Sequence, residues 1–136
     1  MELEPIERHL RSDAVAEDLV LLIRGGPLTA DKLVEHARRQ LREFSFRGSP
    51  MASISVDGTV ARWTLELVLR ERMWSRSQFA TATVGAVQAA GFDVLPTHHV
   101  PHFDIVLAAP TLASAVTLLA VFGPAQDNPF KRRGRR

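Results

Sequence analysis

The chain has 136 residues, 46% hydrophobic and 24% charged, which fits one globular domain with a buried core and excludes wholesale disorder. It contains no cysteine, so disulfides, thiolate metal ligands and cysteine catalysis are excluded. The formal net charge of +2 is unevenly placed: KRRGRR at 131–136 holds five of the 17 basic residues, and the remaining body is acidic.

The N-terminal residues 1–17 are acidic and lack an apolar h-region, so they read as an extension rather than a secretory leader, and a cytoplasmic location is expected. Residues 18–24 (DLVLLIR) form a short apolar run stopped by Gly25-Gly26-Pro27, the pattern of a buried strand. Thr29 fits an N-cap, with Asp31 in the first turn where the helix dipole favours an anion. Leu33, Ala37, Leu41 and Phe44 then follow helical spacing, and Arg47-Gly48-Ser49-Pro50 breaks the chain. Residues 51–56 (MASISV) alternate as a half-buried strand, closed by an Asp57-Gly58 turn.

Apolar spacing around Trp63, Leu67, Leu69, Met73 and Trp74 predicts a second helix over about 59–74. Residues 81–90 (TATVGAVQAA) predict a third, ending at Gly91. Residues 92–95 and 102–107 read as two strands joined by a histidine-bearing turn, and a last helix runs from Pro110-Thr111 to Gly123-Pro124. The apolar stretch 113–122 is too short and too polar to span a bilayer. The order β-α-β-α-α-β-β-α predicts a single α+β domain over 1–123, with helices on one face of a mixed sheet of about four strands. Residues 124–136 read as a flexible basic tail.

Charge varies along the body. Residues 24–76 carry ten basic and six acidic side chains, whereas 77–130 carry three acidic and no basic ones. An anionic partner would therefore be met by Arg38, Arg39 and Arg42 in the middle, or by Lys131, Arg132 and Arg133 in the tail.

The stretch LPTHHVPHFDIVL (95–107) concentrates three of the five histidines. Adjacent His98 and His99 point to opposite sides of an extended chain, and Pro101 opposes a helical turn between His99 and His102, so no metal site is predicted. If 102–107 is extended, Phe103, Ile105 and Leu107 face the core while His102 and Asp104 share the other face. A carboxylate near an imidazole raises its pKa and suits it to general acid–base work.

The helix–Gly-Phe–strand–His–strand order of residues 87–107 resembles the corresponding stretch of HicA-type toxins, small RNA-cleaving domains of bacterial toxin–antitoxin pairs. The resemblance covers about twenty residues, and Thr97 or Pro101 stands where that family has Gly-Ser before its histidine. It implies a metal-independent endoribonuclease without a cofactor, an RNA substrate, an antitoxin-like protein partner, and His99 or His102 at the catalytic position. Separately, Arg24 ending a strand before two glycines, with Ser53 and Ser55 on the next strand, is similar to the Arg and Ser-x-Ser positions of ADP-ribosyltransferases. That family's later glutamate has only Asp93 or Asp104 to match it here. A non-catalytic protein interaction module is the third reading.

Overall fold

The computed structural model describes residues 5–11 and 20–132. Their elements are β1 (Ile6–Glu7), β2 (Leu21–Gly25), α1 (Ala30–Glu43), β3 (Phe44–Phe46), β4 (Ser49–Pro50), β5 (Ser53–Gly58) and α2 (Leu65–Glu71). There follow β6 (Gln78–Thr83), α3 (Val84–Ala89), β7 (Asp93–Pro96), β8 (His102–Val106), α4 (Leu112–Val121) and β9 (Gln126–Asp127). The α+β class holds, but the main sheet has six strands in the order β7-β8-β5-β2-β6-β9, and every neighbouring pair is antiparallel. It is neither four-stranded nor mixed. A second small sheet sets β1 parallel to β3 and β4 antiparallel to it.

The extra strands come from segments whose local signal misleads. Residues 78–83 (QFATAT) become β6 because the stretch pairs with β2 over five positions, and this tertiary pairing overrides the helical preference of its alanines. Only Val84–Ala89 remains as helix α3, N-capped by Thr83 through Ala86 N–H at 3.1 Å. The second helix likewise contracts to Leu65–Glu71, because Thr64 caps it and Thr59 is spent accepting from Leu21 N–H at 2.9 Å. Elsewhere the caps lie where the sequence puts them: Thr29 accepts from Lys32 N–H and Thr111 from Ser114 N–H.

Both faces of the sheet are covered. Leu22 and Ile23 are each fully buried but in different clusters, as expected of an apolar run in a central strand. On one face Leu22, Ile54, Val56, Phe103 and Ile105 pack under α1, α3 and α4 through Leu33, Ala37, Val87 and Leu118. On the other, Ile23 and Phe79 pack under Val68, Leu69 and Met73, so α2 lies opposite the other three helices rather than beside them. Gly58 is the end of β5 rather than a turn. A Cβ there would run into the Phe103 ring, which lies against its backbone.

The chain ends are used in packing. Residues 5–11 run beside β3 and the β7 end, with Arg8 N–H on Ser45 O at 2.7 Å and Arg11 N–H on Pro96 O at 2.8 Å. Residues 126–132, expected as a free tail, lie against the 73–78 loop: buried Asn128 donates to Met73 O and Arg76 O at 2.9 and 3.1 Å. Arg132 N–H bonds Trp74 O at 2.8 Å. Among the described residues, no helix is long and apolar enough to cross a membrane.

Candidate functional site

The face of β5 and β8 that carries alternate polar residues closes into a buried cluster. Asp104 is fully buried and accepts Arg8 Nη1 on both oxygens, at 2.6 and 2.7 Å. It also accepts from Ser53 Oγ at 3.3 Å, Ser55 Oγ at 3.4 Å and Thr97 Oγ1 at 2.5 Å. Arg8, itself buried, reaches Ser55 Oγ and Gln40 Oε1 at 3.2 Å each, and its guanidinium lies 3.9 Å from the centroid of the Phe44 ring. A carboxylate with this set of donors has no face left for a reacting group.

His102 stands at the edge of that cluster. It shares the polar face with Asp104 as the alternation predicts, but the pair is indirect: Nδ1 lies 3.8 Å from Asp104 Oδ2, and Thr97 Oγ1 bridges them at 2.9 Å from the ring. The hydrogen bonds fix the tautomer. Asp104 only accepts, so Thr97 donates its single proton there and must itself accept from the ring. Nδ1 therefore carries the hydrogen, and Nε2 of the neutral ring holds the lone pair. Burial pushes the His102 pKa below its ordinary value, outweighing the upward pull of Asp104, with Arg8 adding to the fall. The carboxylate thus orients the imidazole through Thr97, and its upward pull on the pKa does not overcome burial.

The second feature is a split in the sheet. β2 pairs with β5 only at Leu22↔Gly58 and Ile23↔Asp57, while it stays paired with β6 to Gly25. Beyond Ile23 the two strands part, and the Ser55 backbone groups are met by side chains instead. Arg24 Nη1 donates to Ser55 O at 2.8 Å, and His36 Nε2 accepts from Ser55 N–H at 3.3 Å. His36 is therefore neutral, and burial, followed by the charges of Arg24 and Arg39, pushes its pKa down to about 4.

The mouth of this split is a cleft of about 190 Å³ lined by Arg24, Gly25, Asp57, Arg72, Arg76 and His102 among others. Arg72 is neutralised by Asp57 at 3.0 Å. Among the described residues no carboxylate pairs with Arg24 or Arg76, and Arg24 Nε has no hydrogen-bond partner. Burial lowers the Arg24 pKa, and the nearby charges of Arg76 and Arg39 lower it further. An arginine remains charged even so, and a half-buried guanidinium in surplus positive potential can anchor an anion.

The structure thus draws His102, Arg24 and the Ser55 carbonyl to one cleft and leaves other candidates elsewhere. Ser53 is fully buried, donates to Asp104 and lies outside the cleft lining. His99 is exposed and lies outside the cleft lining. Arg39 lines a neighbouring cavity with Arg24, while Arg38 and Arg42 lie with Asp31 and Leu112 on another side of α1. Arg132 is placed over Trp74, 5.9 Å from its centroid, Lys131 is exposed, and Arg133 lies outside the described residues. Sequence reasoning missed Arg72 and Arg76, whose only signal is a run of basic residues next to a loop. It also missed Arg8 and Thr97, which reach the site through contacts distant in sequence or across the β7–β8 turn. Among the described residues no group of three or more His, Asp or Glu side chains is placed to hold a metal ion. Comparison with protein-family models, with curated proteins and with solved structures finds no match, so the reading of this site rests on its geometry.

Proposed function

We propose that this protein is a metal-independent endoribonuclease in which His102 acts as general base on an RNA phosphodiester bound at the arginine cleft. The observation that carries the reading is the position of His102: its ring lines the same cleft as Arg24, Arg72 and Arg76, with Nδ1 tied back to Thr97. Nε2 takes the proton of the ribose 2′-hydroxyl. The O2′–P bond forms as the P–O5′ bond breaks, and the leaving 5′-oxygen takes a proton from water. The products are a 2′,3′-cyclic phosphate and a 5′-hydroxyl, and the imidazolium returns its proton to the hydroxide left behind. The guanidiniums of Arg24 and Arg76 offset the charge that gathers on the phosphoryl oxygens. Asp104 and Thr97 serve as positioning residues, holding the tautomer. The resemblance of residues 87–107 to HicA-type toxins points to the same chemistry with His99 or His102 at the catalytic position, and of the two it is His102 that lines the cleft. A cytoplasmic site of action and a cognate protein that blocks the cleft belong to this reading.

The test is cleavage of a 5′-labelled RNA oligonucleotide in EDTA, with the DNA of the same sequence as control. The expected result is RNA-only cleavage ending in a cyclic phosphate, reduced about 100-fold or more in His102→Ala. Cleavage that is absent in the wild type, or equal in His102→Ala, rejects the proposal; tight RNA binding without cleavage would favour the interaction-module reading.

A further inference from the structure

Arg24, Gly25 and Arg76 line a second cavity as well, of about 390 Å³, whose other walls are Pro27 and the α1 residues Lys32, Glu35, His36 and Arg39. Those four α1 residues fall at i, i+3, i+4 and i+7, one stripe of the helix, so α1 presents Lys32 and Arg39 toward the same space. Four cations border the cavity against one carboxylate. Glu35 pairs with Lys32 at 3.7 Å, an exposed contact that holds little of either charge. Arg24 and Arg76 stand between the two cavities. The doorway between them is kept low by glycine: a Cβ at Gly25 would lie 3.0 Å from Arg76 Cγ, and Gly26 has φ +89°.

We infer that the second cavity holds the phosphate next to the one at His102, so that the protein takes single-stranded RNA through two consecutive phosphodiesters with Arg24 and Arg76 between them. The identity of the strand rests on the endoribonuclease reading; the existence of a second anion subsite rests on the α1 stripe alone. A single strand fits because Arg24 is half-buried at the mouth of the split, tied to Ser55 O, where a phosphate must come close to reach it. A flexible strand can splay a phosphate inward, whereas an A-form duplex holds its phosphates on a rigid outer surface. Glu35 disfavours a third phosphate beside Lys32, which limits the site to two.

The test measures binding rather than cleavage. Wild-type protein is titrated with 2′-O-methylated UpU, UpUpU and UpUpUpU, which carry one, two and three phosphodiesters and cannot be cleaved through O2′. Affinity is expected to rise about tenfold from the first to the second and to level off at the third. The slope of log affinity against log salt should steepen by about 0.7 on adding the second phosphate. The exposed pair Lys32→Gln and Arg39→Gln should abolish that step and leave UpU binding within about twofold, since neither residue lines the His102 cleft. Equal affinity for one and two phosphates, a step that survives in the double variant, or equal binding of duplex RNA overturns the inference. A step that persists in a protein that fails to cleave RNA upholds the subsite and removes only the endoribonuclease reading. Cleavage without the step does the reverse.

Discussion

Through its hydroxyl Ser55 belongs to the Arg8–Asp104 cluster, and through its backbone to the split between β2 and β5; the two regions handle buried charge in opposite ways. In the cluster the cation meets a carboxylate, and the carboxylate has a donor on every side. In the split Arg24 meets, among the described residues, a carbonyl and other cations but no carboxylate. The cluster spends its charge on holding the N-terminal segment, β5, β8 and α1 together. The split leaves its charge without a carboxylate among the described residues, and on the proposed reading an anion would offset that charge. Of the titratable pair visible in sequence, Asp104 is closed off inside the cluster, while His102 lines the cleft with the arginines.

The largest expected effect tests the closed region. Arg8→Ala leaves Asp104 buried without its cation, and breaking a buried pair from one side costs about 3–5 kcal/mol. The shift in urea midpoint measures it, and Asp104→Ala should fall in the same range. The double change Arg8→Met with Asp104→Leu should recover most of the loss, because the two buried charges then vanish together. A loss below about 1 kcal/mol in Arg8→Ala would mean that the cluster does not anchor the N-terminal segment.

Next comes the link between the regions. Thr97→Val removes the one hydroxyl that joins Asp104 to His102, leaving the ring N–H unpaired and Asp104 Oδ2 with Arg8 alone, at about 1–3 kcal/mol. It should also free the imidazole to take either tautomer. The RNA cleavage of Thr97→Val should fall in kcat more than in KM, while Thr97→Ser, which keeps the hydroxyl, retains most of both. Equal stability of wild type and Thr97→Val would break the bridge between the two regions.

How much of this could be read in the sequence follows the range of the interactions. Helix starts at Thr29 and Thr111 are legible because an N-cap is a contact over three residues. The alternation at 102–107 is legible too, and it places His102 and Asp104 on one face. β6 was hidden because Ala80 and Ala82 carry no apolar contrast, so the stretch declares itself only through its pairing with β2. The partner of Asp104 is not legible for a similar reason: its cation, Arg8, lies 96 residues away and no local pattern reveals it. The ten basic residues of 24–76 were visible as a charge excess, but which of them face one another depends on where β2 leaves β5.

The open region should behave differently from the closed one when its arginine is removed. Arg24→Met loses a hydrogen bond to Ser55 O and also a poorly compensated cation, so stability should change by less than about 1 kcal/mol in either direction. Inorganic phosphate should raise the Tm of the wild type and leave that of Arg24→Met unchanged, since a ligand stabilises only the state that binds it. A destabilisation as large as that of Arg8→Ala would show that Arg24 is structural and that the contrast between the regions is false.

The smallest effect lies in pH. His36 serves Ser55 N–H only while Nε2 is unprotonated, and its pKa is pushed from an ordinary 6.5 to about 4 by burial and then by Arg24 and Arg39, with Arg8 opposing protonation and Asp104 favouring it. An unfolded chain protonates this imidazole near 6.5 and the folded chain only near 4, so between those values the unfolded state binds more protons and stability falls as pH falls. His102, lowered in the same direction, adds to the slope. His36→Gln keeps an acceptor at the split and does not titrate, so its stability should decline less steeply from pH 6.5 to 4 in urea unfolding series. Phosphate should flatten the wild-type slope in the same window, because an anion beside Arg24 and Arg39 offsets the two charges that hold the His36 pKa down. Identical slopes for wild type and His36→Gln would mean that the Ser55 backbone finds another partner when the imidazole is lost, and that the split is closed by Arg24 alone.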